Sequence, residues 1–279
     1  MALELVTEDF QHYKDYSAVN ATLLKDILNG GYDVAYTKLK FPQPPTPAFR
    51  MGTLAHSLIL EGREDFVNAQ DTNLRTKEGK RWKELQEKKG LEVLKPDQVA
   101  DLYGMRDAVE HDKHAATFLE ACNHREKSIY AKVNSETCKA RLDGVAVENG
   151  EPAMLLDLKT VANIDDFERD FFKYGYDVQA DFYRILTGAP ALPFVFIAVE
   201  KTAPYRVRTF LRDVNELVTS VYLADMLRVA GQVVRDAQAN ERKFYAVDTD
   251  YLNGSAPAWI HELRERHLHE SLAGLGLTL

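Results

Sequence analysis

The chain has 279 residues, 45% of them hydrophobic, which is enough for one large folded domain with a substantial core. Its net charge of −8 argues against a protein that coats nucleic acid generally, although basic residues can still cluster on one surface. No apolar run approaches the ~20 residues of a membrane span, and the N-terminal sequence lacks the features of a secretion signal. Cys122 and Cys138 match no zinc motif, so we expect reduced thiols in a cytoplasmic protein.

The first part of the chain has the pattern of helices interrupted by a proline-rich segment. Asn20 caps a predicted helix that ends at Gly30–Gly31, and the four prolines of residues 41–47 predict an extended connector. Three further helices are predicted, with the sequences "RMGTLAHSLILEG", "TKEGKRWKELQEKKG" and "KPDQVADLYGMRDAVEHD".

Beyond about residue 122 the hydrophobic pattern changes to that of strands. The segments "KSIYAKV", "CKARLDGVAV" and "AMLLDLKT" predict an antiparallel meander. One helix or two, with a break near Gly175, precede two more strands, "FVFIAVEK" and "YRVRTFL", about a turn at Ala203–Pro204. A long amphipathic helix is predicted from Asp213 to about Ala239.

This order of elements predicts an α/β fold, with a mixed central β-sheet flanked by helices in a single domain. We expect an N-terminal helical part over about 1–122, a sheet core over about 123–215 and C-terminal helices over about 216–279.

The strand "LLDLKT" carries two opposite charges among leucines. Asp157 and Lys159 share one face of the strand, because side chains alternate between the two faces. Taken alone, such a pair is more typical of a solvated ion pair on an edge strand.

Asp143, in the preceding strand, changes this interpretation. A two-residue turn at Asn149–Gly150 would pair Asp143 with Leu156, whereas a three-residue loop would pair it with Asp157. We predict a loop of odd length or a β-bulge, so that the two carboxylates meet.

Two carboxylates that lie close together repel unless a cation lies between them, and Mg²⁺ or Mn²⁺ suits an oxygen-rich site. Asp143 and Asp157 would hold the metal, which activates a water, and Lys159 would position or deprotonate that water. The carbonyl of Leu158 is a further candidate ligand.

Two helical patterns accompany the acidic pair. "GTLAH" places Gly52 and His56 four residues apart, and "QADFY" does the same for Gln179 and Tyr183, so each pair shares a helix face. Taken alone, each of these residues is more typical of surface or core packing than of a ligand.

The order G-x-x-x-H, Asp…Asp-x-Lys, Q-x-x-x-Y resembles the RecB-like branch of the PD-(D/E)xK nucleases. The segments "MGTLAHSLILE", "CKARLDGV", "LLDLKTVANIDDFERD" and "YGYDVQADFY" are most similar to RecE-type exonucleases (exonuclease VIII). The resemblance covers roughly residues 15–215 and implies a restriction-endonuclease-like core.

The resemblance also implies roles for the matching residues. His56, Asp143, Asp157 and Lys159 match the metal and catalytic positions, and Gln179 and Tyr183 match positions near the scissile phosphate. Asp157 stands where many relatives have Glu.

The implied activity is a Mg²⁺-dependent 5′-to-3′ exonuclease, for which Mn²⁺ would substitute. It would digest one strand of linear double-stranded DNA to mononucleotides and leave a 3′ single strand for an annealing protein. The resemblance further implies self-association into a closed ring, with a trimer favoured over a tetramer, in a bacterial or phage-infected cell.

Residues 75–89 are strongly basic and are candidates for DNA contact. We expect phosphate contacts from Arg75, Lys77, Lys80 and Arg81. A helix capped by Thr76 would add free N–H groups suited to a terminal phosphate. On periodicity alone, a solvated amphipathic helix is the commoner interpretation. Glu126, at the start of a strand, is a candidate supporting acid.

Three alternatives stay open at this point. The chain could be an endonuclease with the same core or a single-strand exonuclease, although a Cas4-like iron–sulfur cluster needs more than two cysteines. It could also be a non-catalytic DNA-end-binding protein, but the intact Asp157 and Lys159 count against a decayed site.

Overall fold

The computed structural model describes residues 3–212 and 220–240, without the side chains of 220–222. The N-terminal part is mainly helical, with two short strands. Its elements are α1 Phe10–Asp15, α2 Ala21–Lys40, α3 Pro47–Glu61, β1 Phe66–Asn68, α4 Lys77–Lys88, β2 Glu92–Leu94, α5 Pro96–His111 and α6 Lys113–Ala121. No helix of the described residues is long and apolar enough to span a membrane.

The rest of the described chain forms a five-stranded sheet with helices around it. Its elements are β3 His124–Val133, β4 Glu136–Glu148, β5 Glu151–Val161, a 3-10 helix Ile164–Asp166, α7 Phe167–Lys173, α8 Tyr176–Leu186, β6 Phe194–Glu200, β7 Val207–Arg212 and α9 Ser220–Ala239. The strand order is β3-β4-β5-β6-β7, parallel between β5 and β6 and antiparallel elsewhere. The predicted mixed sheet flanked by helices is confirmed.

Helix α2 begins as predicted, with the Asn20 side chain accepting a hydrogen bond from the Leu23 N–H at 2.9 Å. The predicted stop at Gly30–Gly31 is confirmed as a break, because Gly31, with a φ of 69° and a ψ of -168°, is not helical and separates two helical segments within α2. The second segment, which runs to Lys40, was not predicted, and it is held in the core by the buried residues Tyr32 and Tyr36. The predicted start of the last helix at Asp213 lies outside the described residues.

Both faces of the sheet are buried. Leu155, Phe194 and Phe196 pack into a core with α2, α8 and α9. Leu156 and Leu158, on the opposite face, pack with α3 and α5. Because β5 is also the central strand of the five, the edge-strand interpretation of its charged pair is wrong.

The hairpin between β4 and β5 combines a short turn with a bulge. Glu148 pairs with Glu151 around a two-residue turn, and the register shifts by one residue between Ala146 and Val147. After the shift Gly144 pairs with Leu156, so the same register continued places Asp143 opposite Asp157. The predicted bulge is confirmed.

Candidate active site

The site lies where β4 and β5 separate. The backbone ladder between them ends at Gly144 and Leu156. Beyond that point the Asp143 side chain replaces the backbone ladder, because its Oδ2 accepts a hydrogen bond from the Leu158 N–H at 2.8 Å. This bond fixes a carboxylate between two strands, at the point where their backbones part.

Strand β3 adds a third acid to the same row. Arg125 pairs with Gly144 and Lys127 with Leu142, so Glu126 lies opposite Asp143. Glu126 has a φ of 51°, in the left-handed region. Such a conformation costs on the order of 1–3 kcal/mol for a residue other than glycine, and it is concentrated at functional sites. The carboxyl group of Glu126 accepts a hydrogen bond from Arg141 Nε at 2.6 Å.

Helix α3 brings His56 to these acids. His56 Nδ1 lies 3.4 Å from Asp143 Oδ2, and the nearby Leu158 backbone acts to raise the pKa of the imidazole. One turn earlier, a Cβ on Gly52 would lie 3.2 Å from Thr160 Oγ1, so glycine allows α3 to approach β5 closely. The spacing of Gly52 and His56 therefore has a packing reason as well as a chemical one.

The group formed by His56, Glu126 and Asp143 fits a divalent cation. Their ligand atoms all lie within 4.8 Å of one another. Burial and the neighbouring Asp157 raise the pKa of Asp143 to about 8, while burial and Asp143 raise the pKa of Glu126 to about 7. Burial lowers the pKa of His56, so its imidazole is neutral and suited to metal binding. Close carboxylates whose charge is uncompensated have raised pKa values of this kind, and a bound cation would compensate them.

Asp157 and Lys159 form an ion pair, and α8 binds both of them. The Lys159 ammonium forms an ion pair with Asp157 Oδ2, and Gln179 Nε2 donates a hydrogen bond to Asp157 Oδ1. Burial lowers the pKa of Lys159, but Asp157, Tyr176 and Asp143 together outweigh this effect, and the pKa is raised overall. These contacts explain how a strand buried on both faces carries two charges.

Gln179 and Tyr183 lie next to the acidic pair, as the helical pattern predicts. Gln179 Oε1 accepts a hydrogen bond from Lys159 Nζ at 3.3 Å. Tyr183 lies one turn after Gln179 on the same face of α8, and burial keeps the pKa of Tyr183 well above its usual value, so it is a neutral phenol.

The structure thus brings together His56, Asp143, Asp157, Leu158, Lys159, Gln179 and Tyr183. Of the predicted metal ligands, His56 and Asp143 lie close to Glu126. The sequence indicated Glu126 only as a supporting acid. Asp157 is instead held by Lys159 and Gln179.

Two further residues of the site, Tyr176 and Lys25, were not predicted from the sequence. The Tyr176 ring centroid lies 4.8 Å from Lys159 Nζ, and Lys25 Nζ donates to Gln179 Oε1 at 3.0 Å. Tyr176 precedes Gln179 by three residues on the same helix, so the helical spacing was a usable signal. Lys25 is 154 positions away from Gln179 and gives no local signal.

The four predicted DNA-binding residues lie apart from this cluster. Thr76 caps α4 as expected, accepting a hydrogen bond from the Gly79 N–H at 3.0 Å. All four basic side chains are exposed, and none forms an ion pair with another described residue: Arg75, Lys77, Lys80 and Arg81. Helix α4 packs against β2, and the structure does not join its basic residues to the acidic site.

The sheet, its flanking helices and the acid–lysine site define a member of the PD-(D/E)xK nuclease superfamily. Within it, the chain belongs to the family described as "PDDEXK-like domain of unknown function (DUF3799)", whose model matches residues 22–233. The fold is similar to that of a protein from Eubacterium rectale named "Putative exonuclease", with a TM-score of 0.55. The two chains are 17% identical, and the match covers 90% of this chain and 100% of that one. A search of curated proteins finds no match.

Proposed function

We propose that the protein is a RecE-type, Mg²⁺-dependent exodeoxyribonuclease. It digests one strand of linear double-stranded DNA in the 5′-to-3′ direction to mononucleotides. The 3′ overhang that remains serves recombination by strand annealing. Family membership and the likeness to the Eubacterium rectale protein support a nuclease. The polarity and the duplex substrate rest on the sequence resemblance to RecE-type exonucleases.

The observation that carries this proposal is that two groups of side chains lie next to each other in the site, a metal-binding group that includes Asp143 and an ion-paired group around Lys159. His56, Glu126 and Asp143, together with the Leu158 carbonyl, would hold the divalent cation. When bound, the cation activates a water and offsets the negative charge that develops on the phosphate. Mg²⁺ is the expected ion, and Mn²⁺ is expected to substitute for it.

The other group acts through the protein's own hydrogen bonds. Lys159, as an ammonium, donates to the attacking water or to a phosphate oxygen and stabilises the developing negative charge. Asp157 keeps Lys159 charged and in place, and Gln179 holds Asp157 from the opposite side. Tyr183, four residues after Gln179 on the same face of α8, would add a neutral phenol beside this amide.

The proposed partners are duplex DNA ends, an annealing protein and further copies of this chain in a closed ring, with a trimer favoured. The exposed residues Arg75, Lys77, Lys80 and Arg81 on and before α4 would contact DNA phosphates. The proposed location is the cytoplasm of a bacterial or phage-infected cell.

Digestion of end-labelled linear duplex with Mg²⁺ tests the proposal. We expect early release of a 5′ label as mononucleotide, persistence of a 3′ label, and no cleavage in EDTA or of circular plasmid. Early release of the 3′ label would reject the polarity. Cleavage of the circle would indicate an endonuclease, and the absence of cleavage on every DNA would reject the nuclease assignment.

A further inference from the structure

A second lysine reaches the site from α2, and no sequence motif indicates it. Lys25 Nζ donates a hydrogen bond to Gln179 Oε1 at 3.0 Å, and Lys159 Nζ donates to the same oxygen at 3.3 Å. Two ammonium groups therefore share one neutral acceptor.

This arrangement leaves Lys25 without a carboxylate in ion-pair contact among the described residues. Asp157 is bound by Lys159 and Gln179, and Asp26 is paired with Lys38 at 2.6 Å. Asp157, Asp26 and Asp177 attract the Lys25 charge only from a longer distance. Burial and the charge of Lys159 lower the pKa of Lys25 to about 8, as expected for a desolvated cation beside another cation.

The surrounding residues nevertheless accommodate the Lys25 side chain closely. A Cβ on Gly175 would lie 2.8 Å from Lys25 Cγ, so the side chain passes where only glycine leaves room. The Tyr176 ring centroid lies 5.7 Å from Lys25 Nζ and 4.8 Å from Lys159 Nζ. One aromatic ring therefore lies against both ammonium groups, on the helix that also carries Gln179.

We propose that Lys25 is a substrate-binding residue, whose ammonium contacts a nonbridging oxygen of the DNA phosphate at the site, beside Lys159. This inference rests on the proposed function, because it takes a phosphodiester as the substrate. Among the described residues only one carboxylate, that of Asp157, is in ion-pair contact with either ammonium group, so a phosphate would supply the further negative charge and offer each of them a separate oxygen.

The competing explanation is that Lys25 only orients Gln179. Both explanations predict slower cleavage when Lys25 is removed, but they differ in two measurable ways. A phosphate contact contributes to DNA affinity and to its salt dependence, whereas a residue that only orients Gln179 does not. The effect of a phosphate contact also persists when Gln179 is absent.

Fluorescence anisotropy with a labelled duplex, in Ca²⁺ and over a salt series, measures the first difference. We expect Lys25→Ala to weaken binding about tenfold and to reduce the salt slope by about one. Lys25→Arg should retain most of the affinity, since it keeps the charge. Lys132→Ala is the matched control, because Lys132 is an exposed lysine of β3. Lys25→Gln replaces Lys25→Ala if the melting temperature shows that the alanine variant does not fold.

Steady-state cleavage in the Gln179→Ala background measures the second difference. We expect Lys25→Ala to raise KM about tenfold in this background, as it does in the wild type. Loss of the effect in that background, with an unchanged salt slope, would overturn the inference and leave Lys25 as a residue that positions Gln179. Wild-type protein that binds DNA without cleaving it would reject the proposed nuclease but not the Lys25 contact. Wild-type protein that does not bind DNA would overturn both.

Discussion

At the scale of single residues, the charged pair of β5 is held in a strand that is otherwise apolar. Asp157 is 2% exposed, and its carboxylate contacts both Lys159 and Gln179. Removing either partner leaves a buried charge with fewer hydrogen bonds, so the choice of substitution matters for any functional test.

Lys159→Ala is expected to reduce cleavage by a factor of at least about 100, because the site loses the ammonium group that stabilises the negative charge on the phosphate. End-labelled duplex digestion measures this loss, and circular dichroism checks the fold. Lys132→Ala is the control for removing one lysine. Cleavage at the wild-type rate by a folded Lys159→Ala protein would contradict the role of Lys159.

Glu126→Gln is expected to weaken Mn²⁺ binding about tenfold or more, since the amide keeps the shape of the carboxylate but not its charge. Calorimetric titration of the protein with Mn²⁺ measures the affinity. Glu148→Gln, at the exposed end of β4, should bind Mn²⁺ as the wild type does. An unchanged affinity in Glu126→Gln would remove Glu126 from the metal group.

Sequence patterns predicted the residues that lie within short motifs, and missed those that only the fold brings near. The register argument placed Asp143 against Asp157 because a bulge changes which strand face a residue occupies. Lys25 could not be found in this way, since α2 meets α8 only through the packing of the whole core. Glu126 was undervalued because its positive φ, which no pattern indicates, accompanies its approach to Asp143.

At the scale of elements, the start of α8 depends on Gly175. Its φ of 64° is in the left-handed region, and its missing Cβ leaves space for Lys25. Gly188, just beyond the end of α8, has a similar φ of 72°, but a Cβ added there would meet no atom within 4 Å. A comparison of substitutions at the two glycines therefore distinguishes the cost of the left-handed backbone conformation from the cost of a steric clash.

Gly188→Ala is expected to lower the free energy of unfolding by about 1 kcal/mol, the cost of the left-handed conformation for alanine. Gly175→Ala should cost more, because its Cβ also displaces Lys25. Urea denaturation measures both. In a Lys25→Ala background the excess cost of Gly175→Ala should fall, and an equal cost in both backgrounds would contradict the packing explanation.

Helix α4 presents its basic residues to solvent, and only Gly79 of the helix is buried. The double substitution Lys80→Ala/Arg81→Ala is expected to reduce the salt slope of DNA binding by about two and to weaken binding at low salt. Anisotropy titrations over a salt series measure both effects. The pair Lys113→Ala/Lys132→Ala, also exposed, is the charge-matched control. Equal slopes for the two double variants would place the DNA elsewhere.

Most helices and the longer strands follow from hydrophobic periodicity and end signals, but α1, α6, the part of α2 after Gly31 and the strands β1 and β2 were not predicted. The strands β1 and β2 have three residues each, too few for alternation to be recognised, and they pair in parallel across α4. The helical segment after Gly31 is stabilised by tertiary burial of Tyr32 and Tyr36 rather than by a local signal.

At the scale of the whole molecule, Glu200 links three elements at one end of the sheet. Its Oε1 accepts from the Ile164 N–H at 3.0 Å and from Arg206 Nη2 at 2.6 Å, and its Oε2 accepts from Arg206 Nε at 3.0 Å. Arg206, outweighing the effect of burial, lowers the pKa of Glu200 to about 2. Because the folded-state pKa is depressed, the ionised carboxylate stabilises the fold above pH 4.5, and this contribution is lost as the pH falls toward 2.

Glu200→Gln is expected to lower the melting temperature at pH 7, and the difference from the wild type should shrink as the pH falls from 5 to 2. Thermal unfolding followed by circular dichroism over this range measures the difference. Glu120→Gln, at an exposed position of α6, should show no such trend. A difference that stays constant with pH would contradict the role of the Glu200 charge.

Strands β5 and β6 are adjacent and parallel, so the crossover connection between them must cover the full length of the sheet before β6 begins. This connection, residues 162–193, includes α7 and α8. The Gln179 amide and the Tyr183 phenol therefore belong to a connection that two parallel strands require in any case. An insertion before α8 that moved this helix along the sheet would separate the amide from Asp157 and slow turnover, while the five strands stayed paired.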